Sequence, residues 1–382
     1  MKELNLNQKD REWVDSTWQK FCEKMEVSAK RNADNIPYSV TKDGKFDTRG
    51  IDEPNWWTNG VWPALMWLMY VGTDNEMYKE IAQNAEDKLD RALEYPEKLS
   101  HDVSFLWNIS SGVNYRLTGN IKSKRRWSIA AALMAGRYNT EGGFIRAWEA
   151  APTESRAGYT IIDCLMNIPI LYRAAKELGE PQYEYIAKHQ ADKTIEDHLR
   201  GDGSVVHIAD HDLLDGHVIR TLGGQGYGVG SSWSRGQAWG IYGFMLSYIY
   251  TGEEKYLNAA KQIAHYFIAS VCDDYLPKCD FRSPKEPVIY DSTAGAIAVC
   301  GLIEIARVVP EYEKSLYLNA AMNILKAMEA KFCNWDKEKD GILHFGTELY
   351  GEKSTHNIFI IYGDLFFAEA LLKLKNVDFL LW

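Results

Sequence analysis

No CxxC pair joins any two of the six cysteines (Cys22, Cys164, Cys272, Cys279, Cys300 and Cys333). That spacing argues against a zinc site or a thiol redox motif and leaves them as small core residues. No apolar run approaches the roughly 18 residues that a membrane span requires. The first residues, MKELNLNQKDREWVDS, lack the apolar stretch of a secretory signal, so the chain reads as cytoplasmic. Positive charge is in deficit: 43 Lys and Arg against 53 Asp and Glu give a formal charge of -10. Such a surface repels nucleic acid and anionic membranes, and neither is expected as a partner. Apolar and aromatic residues are plentiful instead. At 46% hydrophobic and 25% charged over 382 residues, the chain is an ordinary globular one, long enough to bury a large core and read as one catalytic domain over residues 1–382.

Self-similarity along the chain decides the architecture. Five times an apolar helical stretch ends near Gly or Pro and is followed by a more polar helix, starting at Gly60, Phe105, Ile161, Gly236 and Ser292. Gly suits those junctions because it takes the left-handed conformation without a side-chain penalty. A sixth apolar helix, YGDLFFAEALLKLK from Tyr362, has no polar helix after it, and the amphipathic segment QKDREWVDSTWQKFCEKMEVSAK near the N-terminus can supply one. A helix that is apolar all round must be enclosed. The expected fold is therefore all-α, two concentric rings of six helices each, an (α/α)6 barrel. A helical solenoid is the alternative, and the complementarity of the two termini argues against it.

Each apolar helix is preceded by aromatic and polar residues: Trp56, Trp57 and Thr58; His101 and Asp102; Tyr159 and Asp163; Trp233, Ser234 and Arg235; Tyr290, Asp291 and Ser292; Tyr362 and Asp364. Parallel inner helices would bring these clusters to one mouth, onto which the long Gly-rich loops 136–159 and 201–232 would open. Asp163 lies inside the apolar segment IIDCLMNIPIL. Desolvation there should raise its pKa and suit it to proton donation, unless it merely caps a helix. Asp102 is the better capping candidate, yet two carboxylates at neighbouring helix starts are the usual equipment of sugar hydrolysis. Arg235, between Trp233 and Trp239, reads as a bidentate receptor for a ligand carboxylate, or as the partner of a nearby acid.

Two stretches imitate other chemistry. HIADHDLLDGH holds His207, His211 and His217 among acids, but its spacing matches no metal-ligand pattern, and no metal or other cofactor is expected. The run GGQGYGVG from Gly223 makes a poor phosphate loop, because an all-helical reading puts no strand before it.

At these residues the sequence resembles the unsaturated glucuronyl hydrolases, glycoside hydrolase family 88. The motifs NWWTNGVWPALMWL, HDVSFLW, GGFIRAW, IIDCLMNIPIL and SSWSRGQAWGIYGF carry the resemblance over nearly the whole chain. It implies an (α/α)6 barrel acting on a small unsaturated oligosaccharide, the lyase product that ends in a uronic acid with a C4=C5 double bond. It further implies Asp163 as the acid and base, Asp102 as its assisting carboxylate, and Trp57, His101, Trp148, His207, Gly223, Gln225, Arg235 and Trp239 around the sugar. The segment with Lys353, Ser354 and Thr355 falls where relatives recognise a sulfate, without a clear match. Unsaturated rhamnogalacturonyl hydrolases, or a sugar-binding module without turnover, are the rival readings.

Overall fold

The structure, a computed structural model, describes residues 3–149 and 155–382. Five of the helix pairs run in chain order, each an inner helix followed by an outer one. They are α2 (Val61–Thr73) with α3 (Glu76–Lys88), the broken pair α4 (Val103–Trp107) and α5 (Ser111–Thr118) with α6 (Ile121–Ala135), and α7 (Cys164–Asn167) and α8 (Pro169–Leu178) with α9 (Pro181–Asp197). The last two pairs are α10 (Ser234–Thr251) with α11 (Glu254–Val271), and α12 (Ser292–Val308) with α13 (Glu311–Phe332). The final inner helix, α14 (Ile361–Leu374), is backed by the first helix of the chain, α1 (Gln8–Arg31).

Inner helices bury nearly everything they carry: α14 is buried at every position from Ile361 to Leu374. Outer helices bury a stripe, such as Tyr78, Ile81, Ala82 and Ala85 of α3, at the helical spacing of one apolar face. The inner ring closes, with α10 against α12, α12 against α14, α14 against α2, α2 against α5, and α4 and α10 both against α7. That closure excludes the solenoid. Gly119, Gly179 and Gly252, all with φ between 72° and 74°, end three of the inner helices as expected. Asp74 takes the same left-handed role after α2, and Val309-Pro310 follows α12.

Two features depart from the all-helical expectation. The long loops contain strands: β1 (Tyr138–Asn139) pairs with β2 (Phe144–Ile145), and β3 (Tyr159–Ile161), β4 (Ile208–His211) and β5 (Val218–Leu222) form an antiparallel sheet with β4 in the middle. A strand therefore does precede the run from Gly223. The four central amides are nonetheless committed to protein acceptors, Gln225 N–H to His207, Gly226 N–H to the Gly223 carbonyl, Tyr227 N–H to Asp280 and Gly228 N–H to Ser231, which argues against a phosphate cradle. The other departure is that two inner helices are broken, the second between Trp107 and Ser111 and the third between Asn167 and Pro169. Pro169 has no N–H to offer the preceding turn, so α7 stops at Asn167 and α8 starts afresh. Asp163 sits at the head of that short α7.

Candidate active site

Beyond β3 and β4 the pairing continues, with Ile162 N–H donating to the His207 carbonyl at 3.1 Å. That bond sets Asp163 beside His207, whose Nε2 lies 3.9 Å from Asp163 Oδ1. On the other side, His101 N–H donates to the Ala147 carbonyl, and Ala147 N–H to that of Tyr159. Backbone pairing thus joins the heads of two inner helices and the segment carrying Trp148.

Neither carboxylate is a helix cap. Asp102 and Asp163 occupy the N-cap positions of α4 and α7, yet neither side chain accepts a cap hydrogen bond. Asp102 instead accepts from Asn167 Nδ2 at 3.0 Å and from Ser100 Oγ at 2.9 Å. Asp163 is buried, and its Oδ1 has no partner. Burial, reinforced by the nearby charge of Asp102, pushes its pKa up to about 8, against the opposing pull of Arg235 and the Trp239 indole. Burial likewise lowers His207 to about 3, helped by Arg235, and it lowers His101. Both rings are therefore neutral at physiological pH. Gln225 N–H points at His207 Nδ1 from 3.0 Å, which leaves Nε2 to carry the proton that faces Asp163.

An open cleft of about 830 Å³ has Ser100, Trp148, Tyr159, His207, Gly224 and Gln225 in its walls, and through Ser100, bonded to Asp102, and His207, beside Asp163, it adjoins the carboxylates. Trp57, half-buried, packs on Phe105 and Tyr362. Gln225 is braced by the loop before α14, its Nε2 donating to the Glu348 carbonyl at 2.8 Å and its carbonyl accepting from Tyr350 N–H. In that loop Ser354 and Thr355 turn their hydroxyls to Glu352 and to the backbone of Leu349 and Glu352.

The structure gives several of these residues particular settings. Arg235 does not present a free fork: Nη1 is taken by Asp291 and the Thr347 carbonyl, Nη2 by the Glu348 carbonyl, and the guanidinium lies 4.5 Å from the Trp233 ring centre. The acid-partner alternative describes it, and Asp291 also caps α12 through Thr293 N–H. Trp239 and His101, expected around the sugar, have no exposed surface here; His101 Nε2 lies 3.4 Å from Asp102 Oδ1, and the Trp239 indole reaches Asp163. Gly224, not Gly223, reaches the cleft wall; at φ +55° it lies so close to His207 that a Cβ would come within 2.1 Å of Nδ1. At Gly223 a Cβ would strike the backbone of Gly228 instead. Asp364 leaves the mouth altogether and accepts from Ile342 and Leu343 N–H.

The three histidines of HIADHDLLDGH go separate ways. His211 bonds Asp197 and stacks on Phe144, while exposed His217 bonds Asp215. Asp212, Asp215 and His217 come close enough to share an ion, but they are a surface turn whose Asp212 and Asp215 already accept its backbone N–H groups. Sequence reasoning missed Ser100 and Asn167. Asn167 was findable, as a polar residue one turn after Asp163 in the same apolar segment.

Comparison with known proteins shows the family and the fold. An unsaturated glucuronyl hydrolase of Bacillus sp. (strain GL1) is 33% identical over 91% of this chain and 93% of its own. The chain belongs to the unsaturated glucuronyl hydrolases. An unsaturated chondroitin disaccharide hydrolase of Streptococcus pyogenes serotype M1 is 32% identical over 89% of this chain and 86% of its own. A solved unsaturated glucuronyl hydrolase from Bacillus sp. GL1 superposes with a TM-score of 0.88 at 31% identity, covering 94% of this chain and 97% of that one, which fixes the fold as the (α/α)6 barrel. No family model matches the chain. Among the described residues, no helix is long and apolar enough to cross a membrane.

Proposed function

We propose that this hydrolase removes the terminal 4,5-unsaturated uronic acid from lyase-made disaccharides by hydrating its C4=C5 double bond, with Asp163 as the acid. The observation that carries the reading is a carboxyl held neutral by burial, next to the His207 that lines a sugar-sized cleft and near a second carboxyl whose oxygens are met by donors. Protonating C4 of a vinyl ether needs a proton that is present at neutral pH and can be given up. Asp163 delivers it, water adds at C5 and returns a proton to Asp163, and the resulting hemiketal opens and releases the neighbouring sugar. His207 Nε2–H is placed to orient that water, and Trp57 and Trp148 offer faces for the sugar rings. Buried Arg235 has its charge matched by Asp291 and favours the ionised form of Asp163 that follows proton transfer. No step calls for a metal or other cofactor.

The relatives named for glucuronyl and chondroitin disaccharide substrates support a glycosaminoglycan source. A panel of lyase-made disaccharides from chondroitin, hyaluronan, heparin and pectin tests this, with turnover expected on at least one glycosaminoglycan member. Turnover confined to pectin fragments would move the protein to the rhamnogalacturonyl reading, and turnover of none would leave a binding module.

The pH dependence follows from the raised pKa. Turnover should hold through neutrality and fall as pH climbs through about 8, because Asp163 then loses the proton it must donate. A kcat/KM profile in saturating and limiting substrate checks it, and a rate still rising beyond that point would contradict the assignment.

A further inference from the structure

We propose that Asn167 is a positioning residue that holds the negative charge on Asp102, so that the proton of the pair resides on Asp163; this rests on the functional reading above. Asn167 is completely buried at the end of α7, one turn after Asp163. Its Nδ2 donates to Asp102 Oδ1 at 3.0 Å and approaches the Asp163 carbonyl at 3.4 Å. Both groups on that side are acceptors, which fixes the amide with its nitrogen toward them and leaves Oδ1 without a partner. The second oxygen of Asp102 accepts from Ser100 Oγ, which in turn accepts from Asp102 N–H.

Two side-chain donors, Asn167 Nδ2 and Ser100 Oγ, therefore meet the Asp102 carboxylate, whereas Asp163 Oδ1 has no partner and its carboxyl is approached by the Trp239 indole and its own backbone. Hydrogen bonds to the charged form favour that form, and a bare buried oxygen disfavours it. The ionisable groups that face the pair are His101 on the same turn as Asp102, Arg137 after α6, Cys164 beside Asp163, His207 before β4 and Arg235 on α10. Of these only Arg137 and Arg235 are charged near neutrality, and each already bonds protein acceptors, Glu149 among those of Arg137 and Asp291 among those of Arg235. Asn167 is the one neutral side chain that reaches across from the Asp163 turn to the Asp102 carboxylate.

The test compares the parent with Asn167→Leu, which keeps much of the volume without a donor, and with Asn167→Ser, whose hydroxyl is too short to reach Asp102. Should Leu fail to fold, Ser carries the comparison. A lost hydrogen bond to a charged group is expected to lower kcat about tenfold, with KM nearly unchanged and the alkaline limb of the kcat profile moved to lower pH. Carbon-13 signals of labelled Asp carboxyls, read on the free protein near neutral pH, should show Asp163 shifted from its protonated toward its ionised position. Unchanged carboxyl signals and an unchanged pH profile in a folded variant would overturn the proposal, even with stability reduced. The carboxyl readout needs no substrate. Failure of the functional reading would appear separately, as a parent enzyme that leaves the unsaturated disaccharides intact.

Discussion

Asp163→Asn is expected to cut turnover about a hundredfold or more while making the folded protein more stable near neutral pH. The amide keeps the size and shape of the carboxyl and has no proton to give, so the chemical step fails while binding survives. The stability gain comes from linkage. A carboxyl whose folded-state pKa lies near 8, against an ordinary value of 3.8, binds more protons folded than unfolded between those limits. Its favourable contribution is complete below the ordinary value and is lost as pH rises toward 8. Asn carries no such loss. Steady-state kinetics, circular dichroism and melting curves recorded from acid to mildly alkaline pH check both halves. Activity within a few-fold of the parent would remove Asp163 as the acid, and equal melting temperatures at all pH values would mean that its carboxyl is not strained by burial.

The second large effect is on folding. Arg235 and Asp291 form an ion pair with almost no exposed surface, and removing one member leaves the other charge buried without compensation. Asp291→Ala should therefore cost about 3–5 kcal/mol, and part of that loss reflects the cap it provides to Thr293 at the head of α12. Urea unfolding of the purified variant measures it. A loss below about 1 kcal/mol, the range of an exposed pair, would show that the guanidinium finds water or another partner. The prediction differs from the one a free, ligand-gripping Arg235 would make, because a receptor for substrate charge affects binding more than folding.

The contrast over Arg235 shows where the sequence is legible. Apolar segments that recur with Gly or Pro at their ends define the inner ring, and the unpartnered helix from Tyr362 calls for α1 to complete the outer one. The heads of inner helices follow from that order, and Asp102 and Asp163 stand at two of them; His207 reaches Asp163 from the loop before β4, which that order does not reveal. Depth is another matter. Trp57 and Trp239 carry the same side chain near helix starts, yet one is half-buried and the other has no exposed surface, a difference set by helix rotation and by neighbours distant in sequence. Partner choice is equally hidden, since the acceptors of Arg235 come from residues 291, 347 and 348. The strands escape notice because β3 and β4 are only three and four residues long and pair across more than forty intervening residues. No local alternation marks segments so short.

The central claim is hydration of the double bond, as opposed to attack at the anomeric carbon, and isotope incorporation tests it most directly. Run in heavy water and oxygen-18 water and quenched early, the reaction should abolish the ultraviolet absorption of the conjugated alkene, place deuterium at C4, and put the oxygen label first at C5. In ordinary glycoside hydrolysis the alkene survives in the released sugar. Sugars that separate while the absorption persists, or an oxygen label that appears first at the anomeric carbon, would contradict the account.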